Sequence, residues 1–190
     1  MHAAPTLTGA DMEHHNLIQH YEGVVPDSVC DWLVGALEGA DGLVHRNKGP
    51  QDFYELNVNE NCPEVVSGCV ALLKEALRRY QMTFPLQTGY FPSELGLEEF
   101  RVKRYTGGTG QEFGDHVDVG DRASAKRYLA FLFYLNDDFE GGQTIFYPGT
   151  VKEPVKGSVV VFPPMWMYPH RGMPVLTGTK YIMSSYLNFL

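Results

Sequence analysis

A mainly β fold with an α component, a double-sheet jelly roll, follows from the order of patterns along the chain. Strand-like runs occupy 98–105, 113–118, 127–136, 143–147, 157–163 and 180–189, separated by Gly and Pro, and short strands in such succession pack as two sheets or close into a barrel. The helical period is confined to two stretches ahead of them. At 190 residues the chain fits one domain with a core of its own. It divides into a loose leader at 1–22, helical support and loops at 23–97, and the strand-rich core at 98–190.

Composition narrows the function classes. Hydrophobic residues at 44% and aromatics at 13% set the chain apart from disordered sequences. A formal charge of -8 leaves no basic stripe for phosphate contacts, so no nucleic-acid partner is expected. Cys30, Cys62 and Cys69 are odd in number and form no Cys-x-x-Cys pair, which argues for buried thiols rather than disulfides or structural zinc. No stretch is apolar enough to span a bilayer and no signal region opens the chain; a cytoplasmic protein without membrane attachment is expected.

The elements follow in order. Residues 1–16 have no period, and His14, His15 and nearby His20 read as a solvated patch. Asp27 or Ser28 is placed to cap a helix running to about Gly39, with Val29, Trp32, Leu33 and Leu37 toward a sheet. The segment 42–61 mixes turn residues with apolar runs such as DFYELNV, which predicts a strand or two joined by loops, a candidate mobile cover. Pro63 opens a second amphipathic helix with Val66, Val70, Leu73 and Leu77 on one stripe.

Alternation sorts the strands that follow. In 127–136, Tyr128, Ala130, Leu132 and Tyr134 share one face and Leu129, Phe131, Phe133 and Leu135 the other. In 180–189, Tyr181, Met183, Ser185, Leu187 and Phe189 form a core face, leaving Lys180, Ile182, Ser184, Tyr186 and Asn188 to point into the barrel. A buried Lys180 then needs a partner. Gly141 and Gly142 permit a tight turn or close backbone approach, after which Thr144 and Phe146 face inward.

The stretch RYTGGTGQEFGDHVD carries the chemistry. On a strand, His116 and Asp118 point to one side with Cα atoms about 6 to 7 Å apart. His170, in MYPHRGMPVLTGTK, is the third candidate ligand, with Lys180 ten residues beyond it. Two His and one carboxylate with open positions favour non-heme ferrous iron. Arg127 and Arg171 flank the site, where each can pair at the surface or touch substrate.

The order of these pieces, Arg-Tyr before His116, then RYLAFLFYLND, GGQTIFYP, GSVVVFPP, His170 and Lys180, resembles the 2-oxoglutarate- and iron(II)-dependent dioxygenases, specifically the prolyl 4-hydroxylase catalytic domain. The resemblance spans residues 100–190 and implies a double-stranded β-helix with N-terminal helices packed on one sheet. Residue by residue, it makes His116, Asp118 and His170 the Fe(2+) ligands and Lys180 the partner of the distal carboxylate of 2-oxoglutarate. Tyr105, Tyr134 and Thr144 match polar positions lining that cosubstrate pocket. It implies 2-oxoglutarate and O2 as cosubstrates, ascorbate as an auxiliary reductant, and hydroxylation of proline in a peptide or protein with release of succinate and CO2.

Asp118 points to hydroxylation rather than halogenation, since halogenating relatives lack a carboxylate there. Tyr186 stands where prolyl 4-hydroxylases often carry tryptophan, a change in the pocket wall. The competing readings are the same chemistry on a free amino acid or another side chain, a catalytically silent peptide-binding module, and a cupin-like zinc or manganese protein with no use for Lys180.

Overall fold

The computed structural model describes residues 17–147 and 149–190; most of the expected leader, His14 and His15 included, lies outside the described residues. The N-terminal half holds β1 (Gln19–Tyr21), α1 (Asp27–Glu38), β2 (Val44–Lys48), β3 (Gln51–Asn57), α2 (Val58–Asn61) and α3 (Val66–Thr83). Next come β4 (Leu95–Leu97), β5 (Arg101–Thr106), β6 (Phe113–His116) and β7 (Arg127–Tyr134). The remainder is β8 (Glu140–Gly141), β9 (Thr144–Phe146), β10 (Thr150–Lys152), β11 (Val159–Phe162), β12 (His170–Gly172), β13 (Val175–Thr177) and β14 (Thr179–Phe189).

One sheet runs β1-β11-β7-β14-β5-β3-β6-β12-β9-β10, with β2 added to β3 and β4 to β14; β8 and β13 pair separately. The pairings are antiparallel, and the sheet rolls into the nearly closed jelly roll that the strand succession predicts. The eleven-residue β14 is its spine, bonded to β5 on one side and β7 on the other. Near-unbroken apolar sequence suits β7, whose Phe131 and Phe133 are fully buried on one face while Tyr134 is fully buried on the other.

Two cores result. Outside the barrel, Leu33 and Leu37 of α1 and Cys69, Leu73 and Ala76 of α3 pack with Phe131, Phe133, Met183 and Leu187. Inside it, Tyr105, Ala130, Tyr134, Phe146, Phe162 and Ile182 pack together. The alternation expected of β14 holds as far as Leu187: Met183 and Leu187 join the helices, whereas Lys180, Ile182, Ser184 and Tyr186 line the interior; Phe189, expected on the core face, is 47% exposed at the strand's end. A fully buried Leu or Phe contributes about 1.5–3 kcal/mol, so the helical layer is a large part of what holds the sheet closed.

Several expectations are corrected. Gln19–Tyr21, expected in the leader, pair with Val159–Val161 and cover the open edge of β11; His20 bonds Ser158 Oγ at 2.7 Å instead of joining a solvated patch. Pro26, in extended conformation, holds the position before α1, so Asp27 lies in the first helical turn and neither it nor Ser28 caps. Trp32 is 43% exposed, because Cys30, Leu33 and Leu37 define the buried face and residue 32 falls 100° off Leu33. In α3 the buried line is Cys69, Leu73, Ala76 and Tyr80, with Val66, Val70 and Leu77 at its flanks.

The segment 42–61 is no loose cover. Its β3 is an interior strand between β5 and β6, with Phe53 and Leu56 buried. Its polar residues are satisfied in place: Asn57 caps α2 by accepting from the Asn59 N–H.

Candidate metal centre and cosubstrate chamber

β6 ends at His116, two residues short of the expected strand, yet His116 and Asp118 still converge. β12 brings the third group: His170 is the register partner of His116 across the β6–β12 pair, where facing side chains sit closest in an antiparallel ladder. Asp118 Oδ1 lies 3.5 Å from His116 Nε2, and Asp118 Oδ2 lies 3.7 Å from His170 Nε2. One donor atom from each residue falls within 4.8 Å of the others, a spacing that one cation bridges.

Backbone carbonyls orient both rings. His116 Nδ1 bonds Gly114 O at 2.8 Å and His170 Nδ1 bonds Tyr168 O at 3.0 Å. With Nδ1–H donating, the Nε2 lone pairs point to the common centre. Phe113 stacks flat on His116 at 3.7 Å between centroids, and Phe146 and Phe162 pack on His170. Burial lowers the pKa of His170, which keeps it neutral and able to ligate.

Asp118 is held from the opposite side. Tyr186 donates its hydroxyl to Asp118 Oδ1 at 2.9 Å, and Arg127 donates to the Asp118 carbonyl at 2.8 Å. Arg127 also grips Glu98 with two 2.9 Å bonds and lies 3.9 Å over the Tyr186 ring. Burial alone would raise the Asp118 carboxyl, but the bond to His116, the charges of both histidines and the Tyr186 hydroxyl outweigh it and hold it at about 2. The structure therefore decides between the roles open to Arg127, which braces Asp118. Arg171 instead pairs with Glu112 at 3.0 Å and approaches Asp115 at 3.8 Å, away from the centre.

Behind the triad is a narrow chamber lined by Tyr105, Thr144, His170, Lys180 and Ile182, among others. Lys180 is 3% exposed, and its Nζ donates to the Gly142 carbonyl. That approach requires glycine: Gly142 has φ +67°, and a Cβ there would meet Phe139 at 2.8 Å and Lys180 Cδ at 3.0 Å. Burial, helped by the nearby charge of Lys103, brings the Lys180 ammonium down to about 7. Its Nζ lies 5.6 Å from the Tyr105 ring and 5.5 Å from the Tyr134 ring. Tyr134 donates its hydroxyl to Thr144 Oγ1 at 2.7 Å. Six of the seven expected site residues line this chamber; Tyr134 does not, being fully buried behind Thr144.

Residues 100–188 match the family model of the 2OG-Fe(II) oxygenase superfamily. Those residues form a domain of that superfamily. Its donor set fits the superfamily's Fe(II): two imidazoles and one low-pKa carboxylate on one side leave positions open. The chain has the fold of solved prolyl hydroxylases. A viral collagen prolyl hydroxylase from Paramecium Bursaria Chlorella virus-1, solved with 2OG, matches with TM-score 0.71 and 22% identity over 93% of this chain and 98% of that one. A Pseudomonas putida prolyl-4-hydroxylase matches with TM-score 0.71 and 18% identity, over 95% and 96%. A prolyl hydroxylase from Trichoplax adhaerens, in complex with a hypoxia inducible factor peptide fragment, matches with TM-score 0.71 and 16% identity, over 94% and 86%. No curated protein matches the chain.

Lys103 is the residue that the sequence reading missed. It is 8% exposed, bonds Ser184 Oγ at 3.0 Å, and lines both the chamber and an open cleft of about 520 Å³ outside it. The signal was available: alternation in RVKRY puts Lys103 on the same face as Tyr105.

Proposed function

We propose that the protein is a 2-oxoglutarate- and iron(II)-dependent hydroxylase acting on proline in a peptide or protein. The observation that carries this reading is the placement of His116, Asp118 and His170 between a narrow chamber containing Lys180 and a much larger cleft. His116, Asp118 and His170 would hold the iron. Lys180 would receive the distal carboxylate of 2-oxoglutarate, with Tyr105, Tyr134 and Thr144 shaping the chamber around it. The metal and cosubstrate supply oxidative decarboxylation to succinate and CO2 together with transfer of one oxygen atom to substrate.

The chain's own part is orientation and exclusion of water. Gly114 O and Tyr168 O fix the imidazoles, and Tyr186 and Arg127 fix the carboxylate. Phe113, Phe146 and Phe162 dry the centre. The cleft is large enough for an extended segment, and a structural neighbour was solved holding a peptide. Among the described residues, no helix is long and apolar enough to cross a membrane.

The test is succinate release from 2-oxoglutarate by iron-loaded protein on admission of oxygen, with and without a panel of proline-containing peptides. Peptide-stimulated succinate with a mass gain of one oxygen on proline is the expected result. Iron binding without any succinate would instead favour a silent peptide-binding module.

A further inference from the structure

Lys103 has a place in the site but, among the described residues, no carboxylate at ion-pair distance; Glu55 and Asp118 act on it only from farther away. Its ammonium has three donors and makes one hydrogen bond, to Ser184 Oγ. Phe53 and Phe113 lie beneath it at 5.3 and 5.7 Å to their centroids. The other cations lining the open cleft are neutralised: Arg46 pairs with Glu55, Arg101 with Glu55 and Glu99, and Arg127 with Glu98. Among the described residues, Lys103 makes no ion pair. A charge buried without a close counter-charge is costly, and a bound anion removes that cost.

Two carboxylates can arrive there, one on the cosubstrate and one on the substrate. The register favours the second. Lys180 stands opposite Tyr105 and Ile182 opposite Lys103, so Lys103 lies two residues nearer the mouth of the barrel. Lys180 lines the narrow chamber but not the cleft, whereas Lys103 lines both. The ammonium also shares Phe113 with His116, whose ring stacks on that residue at 3.7 Å. An anion held by Lys103 therefore sits on the same aromatic wall as His116, beside the triad.

We propose that Lys103 receives the α-carboxylate of the residue being hydroxylated, so that the substrate is a C-terminal or free proline rather than an internal one. This rests on the hydroxylase reading above and narrows its substrate. Lys103 is then a specificity residue, and it takes no part in binding 2-oxoglutarate.

The experiment measures binding, without oxygen, to protein loaded with Fe(II) and 2-oxoglutarate. The probes are N-acetylproline and N-acetylalanine, each as free acid and as amide. Wild type is expected to bind the proline acid about 10- to 100-fold more tightly than its amide, the range for a hydrogen bond to a charged group. Lys103→Met should erase that preference while 2-oxoglutarate still binds, if anything more tightly, because loss of the Lys103 charge favours the ammonium form of Lys180. Lys103→Gln serves the same comparison if Lys103→Met does not fold. Equal binding of acid and amide by wild type overturns the proposal, as does a Lys103 variant that loses 2-oxoglutarate and keeps the acid preference. A Lys103-dependent preference seen with the alanine pair alone supports the carboxylate receiver and rejects proline.

Discussion

Tyr186 donates its hydroxyl to Asp118 Oδ1 at 2.9 Å across 68 residues of sequence, and its ring lies against the Arg127 guanidinium that holds the Asp118 carbonyl. One side chain thereby ties the carboxylate of the triad to the barrel's central strand. Tyr186→Phe keeps the ring and removes the donor. Iron affinity should fall about 10-fold, at the lower end of the range for groups that orient a metal ligand, as read by anaerobic metal titration. An unchanged affinity would show that Asp118 needs no support from this side.

His116→Ala and Asp118→Ala should each abolish turnover by removing a ligand from the centre. The readout is bound iron by elemental analysis alongside succinate release. Folding should survive, since neither side chain belongs to the buried apolar clusters. Retention of stoichiometric iron by Asp118→Ala would remove that carboxylate from the proposed ligand set.

Lys180 gives a pH dependence with a defined sign. Its pKa in the folded protein is about 7, below its ordinary value of 10.5, chiefly because it is buried. Between these values the unfolded chain binds a proton that the folded one has released, so stability of the cosubstrate-free protein should rise with pH across that window. Binding a dicarboxylate favours the charged lysine, so above about pH 7 2-oxoglutarate should bind with proton uptake and weaken as pH rises. Calorimetry in buffers of different ionisation enthalpy measures that uptake. Lys180→Met should lose both the uptake and most of the affinity, and melt higher than wild type without cosubstrate, because a buried cation is replaced by an apolar chain of similar length.

Phe133 tests the helical layer. It is fully buried on the face of β7 that meets α1 and α3. Phe133→Ala should cost about 3–5 kcal/mol in denaturant unfolding. A loss below about 1 kcal/mol would mean that the outer core collapses around the missing ring.

The same residues separate what local pattern contains from what folding adds. Period and punctuation were enough for the strand succession, both main helices, the inward set of β14 and the pairing of His116 with Asp118, because each depends on neighbours within a few residues. The resemblance in residue order then reached His170 and Lys180.

Local pattern could not place β1, which is a strand only because β11 offers it an open edge, nor β3, whose interior position depends on β5 and β6. The choice for Arg127 likewise needed Glu98, Asp118 and Tyr186 to arrive from separate segments. Lys103 shows the division within one residue. Alternation already assigns its direction, but its lack of a close ion pair exists only once Glu55, Glu98 and Glu99 have been claimed by arginines in the folded cleft. The sequence by itself determined the fold class and the identities of the metal-binding donors; tertiary structure alone decided which charges are neutralised, because ion pairing acts through space between residues far apart in the chain.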